Sequence, residues 1–141
     1  MADRIILKGR RSWGKAEGEA LVTDECISWF GDINIETGEV IRKRMKICGE
    51  KTAGKILVFP GMKGGTFSAF RIIHAKENNV APAAIINKVT NFVILSAAHL
   101  INLPIIDRLD KDPLKTIQSG DWVEVDGEKG IVKVKKLNNQ N

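Results

Sequence analysis

Tyrosine is absent from the 141-residue sequence, and cysteine and histidine occur only twice each. Cys26 and Cys48 have no CxxC partner, whereas a metal or iron–sulfur site normally uses three or four ligands. The chain therefore cannot build a thiolate cluster site alone, and we predict no metal site in it. We expect two reduced, mostly buried thiols, because disulfides are rare in a reducing compartment.

Long apolar runs are also missing. No segment approaches the ~18–20 apolar residues of a membrane span, and the first residues lack the apolar core of a signal peptide. A hydrophobic content of 43% is ordinary for a folded globular chain of this length. We therefore expect a cytoplasmic protein that does not interact with a membrane.

Basic residues outnumber acidic ones by 22 to 17, which gives a formal net charge of +5. The simpler interpretation is that the basic clusters at 8–11, 42–44 and 133–136 cover solvated strand faces. The more specific interpretation is that these basic clusters attract an anionic substrate or an acidic partner. Nucleic-acid binding is not expected, because the sequence has no recognised motif and no interleaving of aromatic and basic residues for base stacking.

Residues 59–66 read Phe-Pro-Gly-Met-Lys-Gly-Gly-Thr and are the most informative stretch of the chain. They follow an apolar run and lead into a segment with helical spacing. A buried strand, a glycine-rich turn and a helix start present backbone N–H groups to an anion. We therefore predict that Lys63, Gly64 and Gly65 bind substrate, and that Thr66 is the helix N-cap.

The apolar pattern predicts an α/β fold with an antiparallel β layer, a parallel β-α-β core and a C-terminal β-hairpin. We place these elements in one domain over residues 1–137, followed by a polar tail at 138–141. Predicted strands lie at 4–8, 17–23, 40–42, 56–59, 83–87, 104–106, 120–125 and 131–135, and predicted helices at about 67–78 and 91–102.

Several blocks of the sequence, taken together, resemble the aconitase X small subunit, which is also called its swivel domain. The block at 54–61, Gly-Lys-Ile-Leu-Val-Phe-Pro-Gly, is similar to the approach to that family's active-site loop. The other blocks are residues 14–22, 27–31, 36–38, 81–87 and 103–107. The resemblance runs from about residue 4 to 135 and implies a swivelling β/β/α domain.

The resemblance also implies a function. Archaeal members of the family are similar to small subunits of phosphomevalonate dehydratase, a hydro-lyase that removes water from 5-phosphomevalonate in a mevalonate route to isoprenoids. Such a subunit is inactive alone and works with a large subunit, which carries the iron–sulfur cluster. We therefore expect a small anionic hydroxy-acid substrate and an aconitase X type large subunit as the partner. Ser28, in an apolar stretch, is a further candidate substrate contact.

The sequence departs from the family at Gly65, where the resemblance implies a loop serine that acts as the base. In one interpretation Thr66 takes over as the base, assisted by Lys63. In a second, a group on the large subunit takes the proton, and in a third the loop is only a structural turn. His99 is a possible alternative base, because histidine titrates near neutral pH.

Two other classes of function stay open at this point. The glycine at position 65 also suits a non-catalytic paralogue, which keeps the fold and the partner interface as a binding or regulatory module. The glycine-rich loop by itself also suits a phosphate-binding domain with no role in dehydration. Trp29 and Phe30 next to Ser28 are expected either in a subunit interface or in the core.

Overall fold

The computed structural model describes residues 4–137, and the predicted polar tail at 138–141 lies outside them. Seven strands and three helices follow one another along these residues. In chain order they are β1 (Arg4–Lys8), β2 (Lys15–Val22), β3 (Ile56–Val58), α1 (Thr66–Glu77), β4 (Ala84–Ile86), α2 (Phe92–Leu100), β5 (Ile105–Ile106), α3 (Pro113–Thr116), β6 (Trp122–Asp126) and β7 (Ile131–Lys135).

Strand β2 joins an antiparallel half and a parallel half of a single sheet, whose strand order is β1-β7-β6-β2-β3-β4-β5. Its residues 15–19 pair antiparallel with β6, and its residues 20–22 pair parallel with β3. Strands β3, β4 and β5 continue the parallel half. The segments that follow β2, β3, β4 and β5 therefore leave the sheet at one edge, where open α/β sheets bind ligands.

Alternate residues of the central strands face two separate cores, because side chains alternate across a strand. Leu57 and Ile85 pack on the same side as Ile72 of α1. Ile56 packs on the opposite side with Val123 of the antiparallel half. Burial on both faces explains why β3, β4 and β5 read as continuous apolar runs in the sequence.

Most of the predicted elements are confirmed, and the errors lie at their ends. Strands at 4–8 and 131–135 have the predicted bounds, and β6 and β7 form the predicted hairpin. Helix α1 begins one residue earlier than predicted, so Gly65 is the N-cap and the prediction that Thr66 caps the helix is wrong. The sequence analysis missed α3, because four residues are too few to show a helical period.

Two other predictions about the first third of the chain are wrong. Residues 40–42 form no strand; isolated bridges such as Ile33–Val40 and turns hold residues 23–55 instead. Cys26 and Cys48 are exposed rather than buried, since both lie in this irregular segment. No helix within residues 4–137 has the length and apolar character needed to cross a bilayer.

A buried ion pair joins Lys136, directly after β7, to Asp121, directly before β6. The Asp121 side chain is 1% exposed, and its Oδ2 lies 2.6 Å from Nζ of Lys136. Burial raises the pKa of Asp121, but hydrogen bonds from the Leu137 amide, Lys136 and the Gln118 amide outweigh it and hold that pKa below its ordinary value of 3.8. The ionised form is therefore stabilised by folding.

We expect Asp121→Asn to lower the free energy of unfolding at pH 7 by about 2 kcal/mol, because it leaves Lys136 without its buried partner. Asp24→Asn is the matched control, since its ion pair with Lys46 is exposed on both sides and contributes at most about 1 kcal/mol. Because the folded-state pKa of Asp121 is lowered, its contribution exists above the unfolded pKa and disappears as the pH falls through the folded pKa.

Urea unfolding from pH 7 to pH 2 measures both effects. The difference between wild type and Asp121→Asn should shrink as the pH falls below 3.8, the ordinary pKa of this group. A difference that stays constant down to pH 2 contradicts the lowered pKa.

Candidate functional site

The loop at residues 60–66 lies at the carboxyl edge of the parallel strands, between β3 and α1. Its first half is paired with the segment that follows β2. The Lys63 amide donates to the Ile27 carbonyl over 2.9 Å, and the Ile27 amide donates to the Gly61 carbonyl over 3.3 Å. The loop is therefore anchored on both sides, since it continues from β3 and is hydrogen-bonded to the segment that follows β2.

Side chains hold two successive carbonyl groups of the loop. The Ser68 hydroxyl donates to the Lys63 carbonyl over 3.0 Å, and the Asn91 side-chain amide donates to the Gly64 carbonyl over 3.3 Å. In a trans peptide the N–H points opposite to the C=O, and no cis peptide bond occurs within residues 4–137. The amides of Gly64 and Gly65 are therefore turned away from these two side chains.

Those amides are left without partners in the part of the chain that the structure describes. No oxygen atom within residues 4–137 accepts a hydrogen bond from the backbone N–H of Gly64, Gly65 or Thr66. The first N–H groups of α1 also lack partners within the helix, and the helix dipole adds partial positive charge at this end. The loop can therefore donate several hydrogen bonds to an anion.

The geometry of the loop requires glycine at position 64, whereas position 65 has space for a side chain. Gly64 has a φ of +84°, and a Cβ atom there would lie 2.8 Å from the Ser68 hydroxyl oxygen. A Cβ atom at Gly65 would meet nothing within 4 Å. The fold therefore leaves room for a serine at position 65.

Ser28 lies directly beneath the loop. Its hydroxyl oxygen is 3.2 Å from that of Ser68 and accepts a hydrogen bond from the Phe30 amide over 3.1 Å. The Ser28 amide donates to the buried carboxylate of Asp32, whose other oxygen accepts from Nε of Arg42 over 2.7 Å. An ion pair between the buried Asp32 and the half-exposed Arg42 therefore fixes the position of Ser28 and, through Ser68, that of the loop.

Lys63 and Thr66 present free side chains at this site. Both residues are exposed, and Thr66 is the first residue of α1. Neither the Lys63 ammonium nor the Thr66 hydroxyl makes a hydrogen bond or ion pair with any other part of residues 4–137. The structure thus brings together Lys63, Gly64, Gly65 and Thr66 on one loop, with Ser28 below them.

The structure does not bring His99 to the loop. Asn91, which contacts the loop, is the N-cap of α2, whereas His99 lies in the last turn of that helix. A helix of this length spans about 13 Å. The His99 ring instead packs edge-on against Trp13, with ring centroids 4.9 Å apart.

Sequence reasoning missed four residues that support the site, namely Asp32, Arg42, Ser68 and Asn91. Asn91 carries a usable signal, since asparagine before an apolar helix is a typical N-cap, and its side chain does accept from the Ile94 amide. The Ser28–Ser68 contact spans 40 residues of sequence. No local pattern predicts such a contact.

Within residues 4–137, no three side chains of the His, Cys, Asp and Glu types come together as a metal site would require. The two cysteines are exposed and lie 22 residues apart in the irregular segment between β2 and β3. The donor groups described here therefore do not fit an iron–sulfur cluster.

Known proteins match this chain over most of its length. The sequence model of the aconitase X swivel domain matches residues 6–134, and the chain belongs to that family. A protein of Archaeoglobus fulgidus named phosphomevalonate dehydratase small subunit is 42% identical over 86% of this chain and 91% of its own length. A protein of Methanocella arvoryzae with the same name is 40% identical over 91% of this chain and 98% of its own.

A solved structure gives the same result for the fold. A chain in the crystal structure of Thermococcus kodakaraensis aconitase X, in its holo form, superposes with a TM-score of 0.87 at 37% identity. The match covers 94% of this chain and 99% of the other. The resemblance read from the sequence and the predicted swivelling β/β/α fold are both confirmed.

We expect Gly64→Ala to lower the free energy of unfolding by about 2 kcal/mol, because it adds an unfavourable φ and a contact with the Ser68 hydroxyl. Gly49→Ala is the matched control: its φ of +91° is similar, but nothing lies within 4 Å of the added Cβ. The control should therefore lose only the ~1 kcal/mol that the backbone conformation costs.

Combining Gly64→Ala with Ser68→Ala should show coupling, because the double variant no longer has the hydroxyl that the new methyl group meets. Chemical denaturation of the four proteins measures this coupling. Additive losses within about 0.3 kcal/mol would show that Gly64 and Ser68 are not in contact.

Proposed function

We propose that this chain is the small, swivel subunit of an aconitase X type dehydratase. Its substrate is a small anionic hydroxy acid such as 5-phosphomevalonate, and it acts in a heterodimer with a large subunit. Two relatives that are 40–42% identical over most of their length bear the name phosphomevalonate dehydratase small subunit. The observation that carries the proposal is the loop at 60–66, whose free amides and free Lys63 ammonium point to an anionic ligand.

The charge distribution supports an anionic substrate at this edge of the sheet. Between residues 51 and 106 the sequence contains a single acidic residue, Glu77. The segment includes the loop, β3, β4, α1 and α2. A negatively charged group that approaches the loop therefore meets backbone amides and Lys63, with little repulsion from this part of the chain.

Thr66 is the candidate for the proton acceptor. Its hydroxyl is exposed at the start of α1, next to the position where the family has its serine. The positive end of the helix and the free amides favour the alkoxide form of a nearby hydroxyl. Thr66 would then take a proton from the bound substrate, while the loop amides and Lys63 hold the acid group of that substrate.

The iron–sulfur cluster of this enzyme class is assigned to the large subunit in this proposal, because the side chains described here do not fit it. The contribution of this chain is therefore to bind the substrate, to orient it and to accept a proton.

A non-catalytic binding or regulatory subunit is the second candidate, and Gly65 is the observation that favours it. A glycine has no group that accepts a proton. If the loop only binds an anion, the chain would still assemble with the large subunit but would support no dehydration. Assembly and turnover must therefore be measured separately.

We expect Thr66→Ala to lower kcat for dehydration by the reconstituted pair by at least ~100-fold, the usual range for losing a general base. Thr66→Ser keeps the hydroxyl and should retain most of the activity. Size-exclusion chromatography of each pair checks that assembly is intact. Unchanged turnover in Thr66→Ala would remove Thr66 from the mechanism, and an assembled but inactive wild-type pair would favour the non-catalytic candidate.

We expect Gly65→Ser to fold normally, since the added Cβ meets nothing within 4 Å, and to raise turnover of 5-phosphomevalonate. Gly65→Ala is the matched control, because it adds the Cβ without a hydroxyl. Steady-state assays of both pairs with 5-phosphomevalonate measure the effect. An equal gain in Gly65→Ala would show that the hydroxyl is not the cause.

A further inference from the structure

Four of the five phenylalanines are exposed, and all four lie on segments that adjoin the loop, namely the segment paired with it and the starts of α1 and α2. Their exposed fractions are 60% for Phe30, 72% for Phe67, 56% for Phe70 and 77% for Phe92, whereas Phe59 is fully buried. Phenylalanine is usually an interior residue. We call these four phenylalanines and the exposed Val89 and Val93, six residues in all, the apolar rim.

The apolar rim flanks the loop on two sides. The rings of Phe30 and Phe67 lie 5.9 Å apart, and Phe70 lies one turn further along the same helix. On the other side, Phe92 directly follows Asn91, which holds the Gly64 carbonyl. The Val89 amide donates to the Pro60 carbonyl at the base of the loop over 3.4 Å.

Part of the apolar rim is held in place before any partner binds. Arg71 donates from Nε to the Trp29 carbonyl over 3.0 Å, and its guanidinium lies 5.7 Å from the centre of the Phe30 ring. The segment that carries Phe30 is also held by the hydrogen bond from the Ser28 amide to the Asp32 carboxylate. Phe30 therefore keeps its outward position through polar contacts, which reduces the entropy lost when a partner covers it.

The exposed apolar area is as large as the biggest apolar patch on a typical monomeric protein, and such patches are often functional. At about 200 Å² for each aromatic side chain, the exposed fractions of the four rings amount to roughly 500 Å². The largest apolar patch on a monomeric protein is about 300–600 Å² and is often functional. A stable interface buries about 800 Å² on each partner, so the four rings alone supply more than half of one side.

We propose that the apolar rim is the surface on which this chain docks onto the large subunit. This inference rests on the proposed function. A second copy of the chain fits the rim poorly. A symmetric dimer would place each rim against its own counterpart, and the nearby cations Lys63 and Arg71 would face their copies without an acidic partner. A large subunit with an apolar face and carboxylates around it satisfies both features.

The test measures assembly of the chain with its large subunit, using Phe67→Ala, Phe92→Ala and the control Leu100→Ala. Leu100 is 78% exposed and lies in the same helix as Phe92, but at the end away from the loop. Sedimentation or biolayer interferometry should show the dissociation constant rising at least ~10-fold for each rim variant. We expect a change of less than about twofold for Leu100→Ala, and kcat at saturating large subunit should stay within about threefold for Phe92→Ala.

Several results would overturn the inference. Rim variants that bind the large subunit as tightly as wild type, or a Leu100→Ala variant that is equally impaired, would exclude the apolar rim. Self-association of the free chain that is lost in Phe67→Ala would identify a second copy as the occupant. Assembly needs no turnover, so a complex that depends on the rim but dehydrates nothing refutes only the catalytic proposal. An active complex whose dissociation constant is unchanged in the rim variants refutes only the docking surface.

Discussion

Two hydrogen bonds to consecutive carbonyl groups determine what the loop can do. Ser68 holds the Lys63 carbonyl and Asn91 holds the Gly64 carbonyl, so the peptide planes on either side of Gly64 are set. Because the N–H and C=O of a peptide point in opposite directions, the amides are turned outward together. Without these contacts, the N–H groups of a glycine-rich turn would not point in one fixed direction, because glycine allows many backbone conformations.

The two side chains that make these bonds come from different helices, and the sheet brings those helices together. Helix α1 follows β3, and α2 follows β4, which pairs in parallel with β3. Parallel pairing brings the carboxyl ends of both strands to one edge, so both helices begin there. The ion pair between the buried Asp32 and the half-exposed Arg42 adds a third support through Ser28. The site therefore depends on the topology of the sheet as much as on the loop.

Local patterns were enough to predict most of the fold. The alternating residues of the hairpin and the apolar runs of the parallel strands predicted those elements, because burial on one or both faces produces these patterns directly. The same reasoning failed for residues 40–42, which resemble a strand but are held by turns and isolated bridges. It also failed for Thr66, because the dihedral angles of Gly65 place the helix start one residue earlier.

The family, the glycine-rich loop and the missing side chain at Gly65 follow from the amino-acid sequence alone, since these depend only on which residues occur and in what order. Three other features follow from how the chain packs: Ser28 and Ser68 meet beneath the loop, His99 lies at the far end of its helix, and four exposed phenylalanines lie near one edge of the sheet. Each of these features depends on how segments that are distant in sequence are placed relative to one another. Such relations are set by how strands pair and helices pack, and no local periodicity records them.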